Sequence, residues 1–191
     1  TSIGEYKLPF TVQVQTEEVK SAGRKVVSLE EFLNIAKEDF HEAYRIFTER
    51  HFSLILSDQS EKIRSLYAGM SQQPVTYQHL EEFLIAAGAK EKVTLSLNRE
   101  EAGFYDISES VQESLYIHRS GWGHLRADIE VNGDFLEAGK HVVTEEDFIG
   151  STCEINYVIR QEKLGKGNQY GEIIVKTPYQ KLVYHVLASR G

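Results

Sequence analysis

From Leu115 to Ser189 the chain alternates apolar and polar residues in short runs, and most breaks between the runs carry glycine. A period of two places successive side chains on opposite faces of a strand, so this stretch is built for antiparallel sheet. Leu125, Ala127, Ile129 and Val131 mark one strand, and residues 155–159, 172–176 and 182–188 mark three more. A short FYDI strand at 104–107 and another at 115–118 precede them. Asn132-Gly133-Asp134 is a tight-turn signal. Gly165-Lys166-Gly167-Asn168 reads as a hairpin turn between the strands that flank it.

The first half of the chain mixes two periods. Tyr6, Leu8, Phe10, Val12 and Val14 alternate, with Pro9 suggesting an edge strand or a bulge. Ser28 and Glu31 then form a capping-box pattern. Phe32, Ile35, Ala36, Phe40, Ala43, Ile46 and Phe47 follow at helical spacing, predicting one helix of roughly 20 residues, about 30 Å long. Its apolar stripe needs a surface, and Phe32, Ile35 and Phe47 are expected to pack on the N-terminal strand. Phe52, Leu54 and Leu56 alternate as a short strand, and 61–68 suggests a helical turn. Thr76 caps a further helix carrying Leu80, Phe83, Leu84 and Ala87, and Gly88 stands where a left-handed C-terminal cap wants glycine. Val93, Leu95 and Leu97 return to strand, and a domain boundary is expected near 100.

A short motif recurs. Val26-Val27-Ser28 to Leu33 resembles Val142-Val143-Thr144 to Ile149: a Val pair, a capping hydroxyl, acidic residues, then Phe and an aliphatic. Leu8, Phe10, Val12 and Val14 fall opposite Leu125, Ala127, Ile129 and Val131, and KVTLSL at 92–97 opposite KLVYHV at 181–186. These matches predict two copies of one sandwich plan. The alternative is a generic strand, turn and cap arising twice.

Gly121-Trp122-Gly123, Asp134-Phe135-Leu136, the 144–150 segment and the ending Leu164-x-x-Gly167-Asn168-x-x-Gly171-x-Ile173-x-Val175-x-Thr177 resemble bacterial immunoglobulin-like sandwich repeats. The chain is similar to a segment of very large, uncharacterised proteins of gut Firmicutes. The resemblance implies a fold and carries no catalytic residues. The expected architecture is mainly β with a helical insertion (α+β): two tandem immunoglobulin-like β-sandwiches. Residues 1–100 would form the first, with two or three helices inserted over 28–88, and residues 101–191 the second.

Several function classes are disfavoured. A net charge of -8 and a pI near 5.4, with no basic stripe, argue against nucleic-acid binding. No apolar run approaches the roughly 20 residues of a membrane span. The opening Thr-Ser-Ile-Gly reads as the start of a fragment, so the compartment stays open, cell surface and secreted locations included. The single Cys153 excludes an internal disulfide, and a buried, inert thiol is the expected state. Gly165 to Gly171 lacks the helix that a phosphate loop opens and leads into a strand instead. The seven histidines form no HxH or HExxH pattern, and no G-x-S-x-G elbow exists. No cofactor or metal is expected.

Trp122 is the most informative side chain. Its flanking glycines would let the ring stand out of a loop and stack on a sugar or a partner, or the ring plugs the sandwich end. Tyr116 and Tyr170 are the neighbouring candidates for ligand or partner contact; they are also ordinary strand residues. The expectation is a non-catalytic structural or protein-interaction module, its partner the rest of a parent bacterial polypeptide or another protein. One alternative is carbohydrate binding through Trp122 and nearby tyrosines. A second is a hydrolase with a cleft between the two domains.

Overall fold

The structure, a computed structural model, describes residues 18–191. The alternating segment at 4–16 lies outside the described residues, as does any packing of the first helix against it. The protein is mainly β, with four α-helices among the described residues. It divides into two compact units, Thr1–Glu91 and Lys92–Gly191.

The described part of the first unit is helical. A minimal hairpin, β1 (Lys20–Ser21) and β2 (Arg24–Lys25), precedes α1 (Leu29–Glu38), α2 (Phe40–Phe47), α3 (Glu61–Met70) and α4 (Tyr77–Ala86). Ser28 caps α1, its Oγ accepting from the Glu31 N–H at 3.2 Å. The single long helix expected over 28–47 is broken at Asp39. That residue is extended (φ -146°, ψ 94°), and its carboxylate accepts from the Glu42 N–H at 3.1 Å, ending α1 and capping α2. A short acidic side chain competes for backbone N–H groups, which favours a cap over a helix interior.

Residues Phe52–Leu56 form a 3-10 helix, not the expected strand. Phe52, Ile55 and Leu56 are buried while Leu54 is 51% exposed, a spacing of three and four. In an apolar run this short, alternation and helical period are not separable by pattern. The helices enclose an aromatic core: Phe32 meets Phe52 edge-on at 4.8 Å, and Phe47 and Phe83 lie within 6.5 Å of Phe32. Gly88 (φ +76°) closes α4 as expected, its N–H donating to Ile85 O and that of Ala89 to Leu84 O, both at 3.0 Å.

The second unit is a two-sheet sandwich. Its strands are β3 (Leu95–Leu97), β4 (Glu101–Ile107), β5 (Val111–Arg119), β6 (Arg126–Asn132), β7 (Leu136–Ala138), β8 (Val142–Thr144), β9 (Thr152–Ile159), β10 (Gln169–Lys176) and β11 (Lys181–Arg190). One sheet runs β4-β11-β10-β6-β8 and the other β3-β5-β9-β7. All pairs are antiparallel except β4 with β11. Alternate residues of both sheets, including Leu115, Ile129, Ile155, Ile173 and Val186, fill one core.

Several expectations change here. Residues 92–97, read as the close of a first sandwich, supply β3 of this sheet, paired to β5 (Leu95 opposite Arg119). The polar segment expected to be a boundary at 99–103 contains the start of β4. Described residues 18–91 contribute no sandwich strand. Gly165 to Asn168 is no hairpin turn, because β9 and β10 lie in different sheets and this loop carries the chain across. The recurring Val-Val-cap motif opens a helix in one place and closes a sheet strand in the other. In the latter, Asp147 Oδ2 accepts from the Thr144 N–H at 2.8 Å. Local capping chemistry is shared, while the tertiary neighbours are not.

Candidate functional site

The three singled-out aromatics fall on separate surfaces of the sandwich. Tyr116 lies between buried Leu115 and Ile117 on β5, so it faces out from the four-stranded sheet, and its hydroxyl donates to Glu154 Oε2 at 2.8 Å. Tyr170 faces out from the other sheet on β10 and is 75% exposed. Trp122 is half-buried in the loop joining β5 to β6, where Gly121 (φ +71°) and Gly123 (φ +102°) make left-handed turns. Because β10 pairs Glu172 with Asn132 at the far end of β6 and Tyr170 lies two residues further on, Tyr170 stands about 27 Å along the strand direction from the start of β6, where the Trp122 loop enters.

The Trp122 loop is tied down by polar contacts. Arg119 Nη2 donates to Gly123 O at 3.3 Å, and the guanidinium stands 5.7 Å from the Phe148 ring centre. Burial pulls the Arg119 pKa below its ordinary value, against the raising influence of Glu145. Burial pushes Glu145 up, but the His124 imidazole, its Nδ1 3.7 Å away, and the hydrogen bond from the Leu125 N–H outweigh it and hold the carboxylate below the usual range. The Leu125 N–H reaches Glu145 Oε2 at 3.2 Å.

The best-formed surface feature surrounds Tyr170. β-Register places Tyr170 opposite Leu187, and Leu187 opposite Gly103. All three face outward, since their strand neighbours Val186, Phe104 and Gly171 point to the core. Gly103 carries no side chain, and the Tyr105 ring folds back over it: a Cβ there would lie 2.8 Å from Tyr105 Cε2 and Oη. One row across three strands therefore reads tyrosine, leucine, tyrosine. Tyr105 is 59% exposed, and with Tyr170 it is one of the two most exposed tyrosines among the described residues.

A polar row lies beside it. Glu172 is opposite His185 and His185 opposite Glu101, with Asn132 opposite Glu172 on the other side. Asn132 Nδ2 donates to Glu172 Oε1 at 3.2 Å, and His185 Nδ1 stands 3.9 Å from Glu172 Oε2. Two positions along a strand separate the rows, about 7 Å. Together they line a concavity of about 730 Å³ without a lysine or arginine in its wall. Tyr105 was not singled out in the sequence; its signal was the small residue two positions earlier, Gly103, on the same face. A second concavity, about 530 Å³, lies outside the four-stranded sheet around Glu113, Glu137 and Asn156. There Arg160 already pairs with Glu137 at 2.9 Å.

Among the described residues no group of three or more His, Cys, Asp or Glu side chains is placed to hold a metal. Cys153 is buried in β9, and burial pushes its thiol pKa up. No helix among the described residues is long and apolar enough to cross a membrane.

The second unit thus defines a β-sandwich with an aromatic concavity on its larger sheet. The chain belongs to the family described as "family of unknown function (DUF5717), N-terminal", which it matches over residues 1–191. No curated protein matches it. Solved structures similar in part include WR4, a C. elegans MSP family member, at 5% identity and a TM-score of 0.35, covering 51% of this chain and 97% of that one. Another is the Vibrio cholerae VesB protease, at 8% identity and a TM-score of 0.33, covering 50% of this chain and 31% of that one. Likeness this distant carries no argument about activity or ligand.

Proposed function

We propose that residues 92–191 are an immunoglobulin-like sandwich and that the chain is a non-catalytic interaction module of a larger bacterial protein. Two sheets joined by crossing connections, with β4 running parallel to β11 at the margin, support the immunoglobulin-like reading. The observation that carries the binding role is the row Tyr170, Leu187 and Tyr105 over Gly103. Exposed rings on a rigid sheet offer contact area with little conformational entropy to lose on binding. Catalysis would instead need converging acid, base or nucleophile groups. In the concavity Glu172 is held by Asn132 with His185 Nδ1 3.9 Å away, and among the described residues no serine, threonine or cysteine lines the wall to serve as a nucleophile.

The test is an array of peptides and glycans probed with labelled protein and with Tyr170→Ala and Tyr116→Phe variants. Binding lost in Tyr170→Ala and kept in Tyr116→Phe is the expected result. Binding indifferent to Tyr170→Ala would move the function off this face. Turnover of chromogenic glycoside or ester substrates that co-purifies with the protein would overturn the non-catalytic reading.

A further inference from the structure

We infer that the Tyr105–Tyr170 concavity receives a basic polypeptide segment, with an arginine or lysine laid across the tyrosine row and its charge directed at Glu101 and Glu172. The inference rests on the binding role assigned to this face and adds the chemistry of the partner.

The two rows specify that chemistry. Tyr170, Leu187 and the Tyr105 ring make an apolar strip two strand spacings wide, about 10 Å. Glu101, His185 and Glu172 run parallel to it about 7 Å away. A ligand group that fills both must be apolar along its length and cationic at its end. Lysine and arginine side chains have that form, an alkyl stem ending in a charge. Arginine fits more closely, because a planar guanidinium also stacks on a tyrosine face and bonds a carboxylate through two N–H groups.

Charge excludes the opposite class. The concavity has no lysine or arginine in its lining, and among the described residues no basic group stands within ion-pair range of Glu101. The chain carries a net charge of -8. A phosphorylated or acidic partner would meet uncompensated like charge here. A neutral glycan could stack on the tyrosines but would leave Glu101 without a charge partner.

The experiment uses the full chain and four probes: a short arginine–glycine peptide, the same peptide with citrulline, an aspartate version, and a neutral glucan pentasaccharide. Binding is followed by amide chemical shifts and by calorimetry at low and high salt. The arginine peptide is expected to shift the amides of Gly103, Tyr105, Tyr170 and Leu187. Citrulline keeps the shape without the charge, and should bind at least about tenfold more weakly. Glu101→Gln and Glu172→Gln should each weaken the arginine peptide, and salt should do the same. Gly103→Ala, which pushes the Tyr105 ring aside without removing it, should weaken it too, with amide dispersion confirming an intact fold.

Citrulline or glucan binding as tightly as arginine, at the same amides, would overturn the basic-partner inference and leave the face assignment standing. If no probe perturbs this face and the arrays show no Tyr170-dependent signal, both readings fall.

Discussion

The hydroxyls of Tyr157 and Tyr184 meet at 2.7 Å in the interior of the sandwich, one carried by β9 and the other by β11. They join the two sheets, and both residues are fully buried. Their rings pack edge-on at 5.6 Å, and Phe104 adds a further edge contact with Tyr157 at 6.3 Å. Arg99 stands within electrostatic range of both phenols.

The shared hydrogen bond predicts coupled mutants. Tyr184→Phe leaves the Tyr157 hydroxyl buried without its partner and should cost about 1–3 kcal/mol. Tyr157→Phe orphans the Tyr184 hydroxyl in the same way and should cost a similar amount. The double variant should cost less than the sum, because no orphaned hydroxyl remains. Urea unfolding of the four proteins measures this. Single costs that add would show that the pair is not coupled.

The same pair predicts alkaline sensitivity. Burial first, and then the hydrogen bond with Tyr184, raises the Tyr157 pKa far above the ordinary tyrosine value. The protonated form is thus favoured in the folded state, and its stabilisation is fully present below the unfolded value of about 10. Above that pH the unfolded chain releases the proton first, and stability should fall by about 1.4 kcal/mol per pH unit. Denaturation midpoints against pH should show the fall in wild type and a shallower one in Tyr157→Phe. An identical slope in both would contradict the account.

Two glycines should respond oppositely to alanine. A Cβ on Gly171 would lie 2.9 Å from Asn132 O and 3.0 Å from Phe135 Cζ, so the strand β6 backbone and a core ring must move. Gly171→Ala should destabilise by about 1–3 kcal/mol. At Gly103 the obstacle is the outer end of the Tyr105 side chain, which can swing into solvent. Gly103→Ala should therefore leave the melting temperature nearly unchanged while altering the near-ultraviolet dichroism of Tyr105. Equal melting shifts in both would refute the distinction.

In the helical unit, Lys90 Nζ pairs with Glu81 Oε1, and both side chains are almost completely buried. Removing one partner unbalances a charge pair in a dry site. Glu81→Gln should thus cost about 3–5 kcal/mol, whereas replacing both residues by apolar side chains of similar volume should cost far less. Helical circular dichroism during thermal unfolding reads both. A loss under about 1 kcal/mol for Glu81→Gln would place the pair in contact with water.

Local structure was largely legible in the chain. The caps at Ser28 and Thr76, the Schellman glycine at Gly88 and the strand alternation after Leu115 depend on neighbours within a few residues, and each stands where its pattern places it. Asp39 shows the limit even of local reading: the stripe from Phe32 to Phe47 keeps helical spacing through it, yet its carboxylate ends one helix and starts the next. Phe52–Leu56 shows another, since five residues fit two periods equally well.

The sequence by itself determined which segments turn, cap and alternate, because those choices depend on backbone sterics and side chains a few positions apart. Only the tertiary structure decided that β3 joins the second unit, that β9 and β10 belong to different sheets, and that Tyr105 stands beside Tyr170. Those two tyrosines are 65 positions apart in the chain. Their row depends on the parallel register of β4 with β11 and the antiparallel register of β11 with β10. Register is set by burying one face of every strand at once, a condition that no single segment encodes.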